Sequence, residues 1–272
     1  MIRVGVIGTG ALGHAIASSL AAHSIPGVEL TAIAGRPYSP RDIDALARSW
    51  DCQATTEPLT MPGSGANLVV EAAGADAAKQ YAIPLLQAGC DVIIMSTGAL
   101  ADMEFVTELK RVAAAVSRRV YLPSGSIAGI DGILSAMESG PVAVRVTTRK
   151  RPEALAGAPH FTTSGIDVLA FERETTVFEG NAQEAVAGFP SNLNVALTLA
   201  TAAGSFDRVR VRIIADPKAE FTTHQIEVVA KSGTMTVEMV NRPSASNPRS
   251  SWLAALSAIA TIRRLASPLR IG

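Results

Sequence analysis

The chain has 272 residues, room for one large domain or two modest ones, and its 48% apolar and 18% charged content sustains a folded core and excludes global disorder. Basic and acidic side chains balance at 24 each, so there is no net field to draw in nucleic acid or an anionic membrane, and neither is expected as a partner. Cys52 and Cys90 have neither the number nor the spacing of a disulfide framework or a zinc site, which fits a reducing cytoplasm and gives no metal site.

The start places Arg3 before an apolar run, as a secretory signal does, but Gly5, Gly8, Gly10 and Gly13 interrupt it, so it reads as folded structure. Residues 2–7 have the short, β-branched character of a strand buried on both faces, and Leu12, Ile16 and Leu20 then mark one face of a helix. Residues 28–34 make the second strand, and Ser39-Pro40 supplies an N-cap and first-turn proline for a helix through Ile43, Leu46 and Trp50. Further strands fall at 67–72, 92–95 and 120–122, with helices at 75–88, closed by Gly89, and 102–115. The apolar stretch 82–100 carries Gln87, Gly89 and Asp91 and is no bilayer span. Such alternation specifies an α/β fold, a Rossmann doubly wound parallel sheet.

Beyond about Gly140, strands at 142–148, 174–178, 208–214, 225–230 and 234–240 mix apolar with polar residues, the pattern of a sheet with one wet face. Helical stretches lie at 192–203 and 251–265. The expected organisation is a dinucleotide-binding domain over 1–123, an α+β substrate and oligomerisation domain over 124–250, and a C-terminal helix over 251–272 returning to the first.

Gly8-Thr9-Gly10-Ala11-Leu12-Gly13 fits G-x-G-x-x-G, in which glycine permits the tight turn, the approach of a pyrophosphate and the helix–strand contact. A glycine-rich string alone is weak; the strand before it and the helix after it give it the context of a dinucleotide site. The second strand runs into Ala34-Gly35-Arg36 where an NAD-preferring enzyme carries an acid for the ribose hydroxyl. Arg36 then suits a 2′-phosphate, so NADP as well as NAD is expected; the alternative is a solvated surface arginine.

Of four histidines, His14 and His23 lie on or just after the first helix and read as structural, and His160 falls in a polar loop. His224 sits just before a strand, where an imidazole that exchanges protons near neutral pH suits an alcohol or amine dehydrogenase; a lone histidine is more often a surface or core residue. Thr148-Arg149-Lys150-Arg151 and Ser191-Asn192-Leu193-Asn194 offer groups for a small anionic substrate, the basic run reading otherwise as a solvated strand end.

In combination, Val4 through Gly13, Val69-Val70-Glu71-Ala72-Ala73, Met95-Ser96-Thr97-Gly98-Ala99-Leu100-Ala101-Asp102, Leu122 through Asp131, Thr148-Arg149-Lys150, Phe189-Pro190-Ser191-Asn192-Leu193-Asn194, Ile214-Ala215-Asp216-Pro217, His224 and Asn247-Pro248-Arg249 resemble the L-aspartate dehydrogenases over nearly the whole chain. The resemblance implies NAD- or NADP-dependent oxidation of L-aspartate to iminosuccinate, hydrolysed to oxaloacetate and ammonia, or the reverse amination. It makes His224 the acid/base and sets Ser126, Ala128 and Asn194 against the nicotinamide end. Gly8, Gly10, Ala11, Leu12, Gly13, Arg36 and Ala73 complete the expected cofactor set. Ser124, Lys150, Asn192 and Thr223 are the expected contacts to a small dicarboxylic amino acid, in a cytoplasmic homodimer or homotetramer. Two positions depart from the family pattern: Thr222, where asparagine is usual, and Gly125-Ser126-Ile127 in a loop of GAI type. Rival readings are a related imine or carbonyl reductase on another small acid, and a dinucleotide-binding regulator without turnover.

Overall fold

From Val4 onward, strand β1 (Ile2–Ile7) is buried at every position, which requires cover on both faces of its sheet. The computed structural model describes residues 1–36, 42–189, 194–244 and 247–271. Helix α1 (Ala11–Ala21) follows and turns Gly13, Ile16, Ala17 and Leu20 inward, and β2 (Val28–Ala34) then runs parallel to β1. Helix α2 (Ile43–Ser49) is capped by Asp42, whose carboxylate accepts the Asp44 and Ala45 backbone N–H groups at 3.0 Å each. Asp42 therefore takes the cap expected of Ser39, which with Pro40 lies outside the described residues.

β3 (Gln53–Thr55), β4 (Leu68–Glu71), α3 (Ala75–Gln87), β5 (Asp91–Ile94), α4 (Met103–Ala115) and β6 (Val120–Tyr121) complete the alternation. The strands form one sheet of order β3-β2-β1-β4-β5-β6, every pair parallel. This is the doubly wound dinucleotide-binding order, and it reverses between β1 and β4, so the carboxyl ends of those two strands border the ligand crevice. On one face Val69, Val92 and Ile94 share a core with Leu85, Leu86, Leu109 and Val112. On the other Val4, Val6, Val70 and Ile93 share a core with Ile16 and Leu20, and the C-terminal helix (Trp252–Ala266) adds Ala255, Ala258 and Ile262 to it. The chain accordingly divides into one compact unit of residues 1–125 with 254–272 and a second of 126–253.

The second unit opens with α5 (Ile130–Met137) and carries a mixed sheet of β7 (Ala143–Lys150), β8 (Thr175–Asn181), β9 (Val209–Ala215), β10 (Thr222–Ala230) and β11 (Gly233–Asn241), in the order β11-β10-β7-β9-β8. Only β7 with β9 is parallel. Val144, Val146 and Thr148, Val209, Val211 and Ile213, and His224, Ile226 and Val228 turn inward, while Arg145, Arg210, Arg212 and Gln225 stay exposed, the one-sided wetting that the mixed sequence pattern implies. Helices α6 (Pro159–Ser164), α7 (Ala182–Gly188) and α8 (Asn194–Ala202) and the short pair β12 (Pro243–Ser244) and β13 (Asn247–Ser251) complete the unit.

Two sequence expectations are corrected here. His224 lies inside β10, which begins at Thr222 rather than 225, because Thr222 and Thr223 already pair with Asn241 and Val240. His160 belongs to α6 rather than a polar loop: its ring stacks on Phe189 at 5.0 Å and meets Phe161 and Phe178 edge-on, an arrangement that buries three aromatic faces. Helix α5, which the sequence pattern does not signal, closes against β11 because a Cβ at Gly132 would stand 2.8 Å from Met235 Sδ. Among the described residues no helix is long and apolar enough to cross a membrane.

Candidate active site

The glycine turn sits at the carboxyl end of β1, and each glycine has its own reason. Gly8 has φ +104°, and a Cβ there would stand 2.6 Å from the Ala72 carbonyl oxygen. A Cβ at Gly13 would lie 1.9 Å from the Gly8 carbonyl oxygen, so only glycine lets α1 approach the strand. A Cβ at Gly10, the N-cap of α1, would meet nothing within 4 Å, which leaves the backbone open to close approach. The first-turn amides of α1, at Ala11 and Leu12, belong to the set that an α-helix leaves without intrahelical acceptors, and the macrodipole favours an anion there. Open backbone beside a helix N-terminus at the switch point fits the pyrophosphate of a dinucleotide.

Two further strand ends border the turn. The Gly8 N–H donates to the Ala34 carbonyl at 2.8 Å; after Ala34 come Gly35, against the side chain of Thr9, and then Arg36, exposed. No carboxylate follows β2 at Ala34-Gly35-Arg36, so nothing there repels a 2′-phosphate. At the end of β4, Ala73 donates its N–H to the buried carboxylate of Glu71 at 2.7 Å. His14 meets the Trp50 ring edge-on at 5.1 Å.

His224 occupies the inward face of β10 and is 4% exposed. The antiparallel register sets it opposite Thr148 of β7, itself buried, and the Thr148 hydroxyl is 3.0 Å from Nδ1. Ser126 Oγ lies 3.5 Å from Nε2, a long contact, and the Ser126 carbonyl accepts from the Asn241 amide at 3.0 Å. Asn241 is fixed in turn by the Ser251 hydroxyl at 2.8 Å. One face of the sheet thus carries an imidazole with one nitrogen engaged by a neighbouring strand and the other turned toward a loop.

Burial, with the charge of Lys150 added to it, pushes His224 down to about 3, so the ring is neutral at physiological pH. Lys150 follows Thr148 by two on β7 and shares its face; desolvation lowers its ammonium to about 8. Arg149, on the opposite face, bonds Glu174 and Asp216, the latter at 3.0 Å, which pins the end of β7 beside Lys150. The basic run is therefore divided by the pleat into a structural arginine and a half-buried lysine.

The structure gathers Gly8, Gly10, Ala11, Leu12, Gly13, Arg36 and Ala73 at neighbouring strand ends of the first unit, and Ser126, Lys150 and His224 around one sheet face of the second. Ser124 ends β6's loop in the first unit, Ala128 is half-buried between Ile127 and α5, Asn194 starts α8 and is exposed, and Asn192 lies outside the described residues. The pleat turns Thr223 to the face opposite His224, whereas Thr222 shares it, a correction that follows from the earlier start of β10. Sequence reasoning missed the pairing of Thr148 with His224 and the buried Glu71. Their signals were a polar residue in the inward phase of Val144 and Val146, and an acid closing an otherwise apolar strand. Among the described residues no group of three or more His, Cys, Asp or Glu side chains is placed to hold a metal ion.

A doubly wound sheet with a glycine turn at its switch point, joined in one chain to a sheet bearing a buried neutral imidazole, defines an NAD(P)-dependent dehydrogenase. A model of the homoserine dehydrogenase NAD-binding domain matches residues 8–123, and one of the aspartate dehydrogenase C-terminal domain matches residues 131–265. The chain is 41% identical over 274 residues to the L-aspartate dehydrogenase of Methanosarcina barkeri and 40% identical over 273 residues to that of Methanosarcina mazei, covering 100% of each chain in both cases. It belongs to the L-aspartate dehydrogenase family. The crystal structure of aspartate dehydrogenase from Thermotoga maritima superposes with a TM-score of 0.77 at 28% identity, covering 100% of both chains. Scyllo-inositol dehydrogenase from Lactobacillus casei, at 15% identity and a TM-score of 0.58 with 100% of this chain and 91% of that one covered, shares the fold.

Proposed function

We propose that this protein oxidises L-aspartate to iminosuccinate with NADP or NAD, water then giving oxaloacetate and ammonia, and that it runs the reverse amination as well. The observation that carries this reading is His224, a buried imidazole neutral at physiological pH and held by Thr148 in a chain of this family. When bound, the nicotinamide accepts the hydride that leaves the substrate's α-carbon. With Thr148 Oγ1 accepting from Nδ1–H, the Nε2 lone pair takes one proton from the substrate ammonium and releases it to solvent, and after the hydride has left it takes a proton from the attacking water and gives it to the departing amine. Lys150 holds one substrate carboxylate, with Thr222 taking the place expected of Thr223 on the same sheet face. A dicarboxylate beside His224 opposes the charge of Lys150, the lesser of the two causes that hold the imidazole down, and so moves it upward.

Arg36 is assigned to the 2′-phosphate of NADP, supported by its exposure and by the missing acid after β2. A homodimer or homotetramer is assigned on the outer face of the second sheet, where Val229 and Val240 are each 58% exposed, and sedimentation velocity measures it. The unpaired Cys52 and Cys90 support a cytoplasmic setting. Absorbance of the reduced cofactor, followed with L-aspartate, L-glutamate, L-alanine and L-malate and each cofactor, tests the function. L-aspartate should turn over fastest, and NADP should have the lower KM. Faster turnover of another acid replaces the substrate, and no turnover with any of them makes the chain a dinucleotide sensor.

A further inference from the structure

Glu71 is 1% exposed and ends β4 at the switch point, yet no step above uses it. A charge removed from water is tolerated where donors replace its hydration, and here they come from two different loops. The Ala73 and Gly74 N–H groups donate to Oε1 at 2.7 and 2.8 Å, and the Ser96 hydroxyl donates to the same oxygen at 2.9 Å. The Ser96 N–H reaches Oε2 at 3.1 Å. Gly74 is the N-cap of the 13-residue α3 and has no side-chain cap; Glu71 holds the two amides just before the helix and places its carboxylate at the end where the macrodipole favours an anion. The strap so held, residues 72–74, is what the glycine turn leans on: a Cβ at Gly8 would lie 2.6 Å from Ala72 O and 3.0 Å from Ala73 N. The Ala72 N–H also donates to the Ile7 carbonyl at 2.8 Å.

We propose that Glu71 is a positioning residue for the cofactor: its carboxylate ties the strap after β4 to the Ser96 loop and so fixes the surface against which the Gly8 turn presents its amides to the pyrophosphate. This rests on the first unit binding the dinucleotide, which titration of the wild-type protein with NADPH and NADH checks separately. Glu71→Gln keeps the size but turns an amide toward four donors, and Ser96→Ala removes one donor while leaving the carboxylate. Reduced-cofactor fluorescence gives Kd, steady-state kinetics give the KM-against-kcat split, and thermal melts give the stability of the apoprotein. Expected for Glu71→Gln is a rise of about tenfold in cofactor Kd and KM, as for loss of a charge-assisted buried hydrogen bond. KM for L-aspartate, and kcat at saturating cofactor, should stay within about threefold of wild type; Ser96→Ala should move Kd in the same direction by about threefold. Unchanged Kd in Ser96→Ala overturns the proposal even where Glu71→Gln fails to fold. So does a Glu71→Gln protein in which both KM values and kcat worsen in step with a lowered melting point, which is a purely structural role.

Discussion

At the end of β1 the groups offered to the ligand are main-chain amides, and the side chains that would obstruct them are absent at Gly8, Gly10 and Gly13, whereas on the sheet of the second unit every working group is a side chain withdrawn from water. Main-chain amides do not titrate, so the turn's own ligand groups carry no pH dependence, and they are sensitive to any added atom. His224 and Lys150 are the reverse: burial sets the protonation of both, the charge of Lys150 adds to it at His224, and conservative changes around them alter chemistry before they alter shape.

Four measurements break or sharpen that contrast. The largest effect belongs to His224→Ala, expected to lower kcat by about 10²–10⁴ with cofactor Kd unchanged; a near-normal rate removes the acid/base assignment. Gly13→Ala should do the opposite. With 1.9 Å between the new Cβ and the Gly8 carbonyl, it should cost about 1–3 kcal/mol in a denaturant melt and weaken cofactor binding. Full stability would mean that α1 can shift without penalty. Thr148→Val deletes one buried hydrogen bond at similar volume and should lower kcat about tenfold, with Thr148→Ser restoring it and cofactor Kd untouched. The last measurement is a slope, small over any one pH unit. His224 titrates near 6.5 when unfolded and near 3 when folded, so between those values only the unfolded chain takes up the proton. The free energy of unfolding should therefore fall as pH drops from about 6.5 to about 3, by less than about 1.4 kcal/mol per pH unit, and His224→Asn should flatten this part of the curve.

The first unit was legible because its code is local. A strand buried on both faces is apolar throughout, a helix start beside it must be glycine, and both features lie within a few residues of each other. The second site is written across strands. Thr148 meets His224 only through antiparallel register, and two threonines opening β10 disguise its apolar alternation, so the strand seemed to begin after the histidine rather than before it. Helix α5 was hidden for a related reason: Gly129 and Gly132 read as breakers in one dimension, while in the fold they admit Val237 and Met235. Glu71 closes an otherwise apolar strand, and only the convergence of three N–H groups and a hydroxyl gives that acid a reason.

The C-terminal helix gives the molecule an order of assembly. Ala255, Ala258 and Ile262 belong to the same core as Val4, Ile16 and Leu20, although the whole second unit is synthesised between them. A nascent chain therefore leaves the part of that face of its nucleotide-binding sheet not covered by α1 open until residues 252–266 are made, while the inserted unit already has its own five-stranded sheet. The core begun at β1 thus waits for a helix made after the whole second unit.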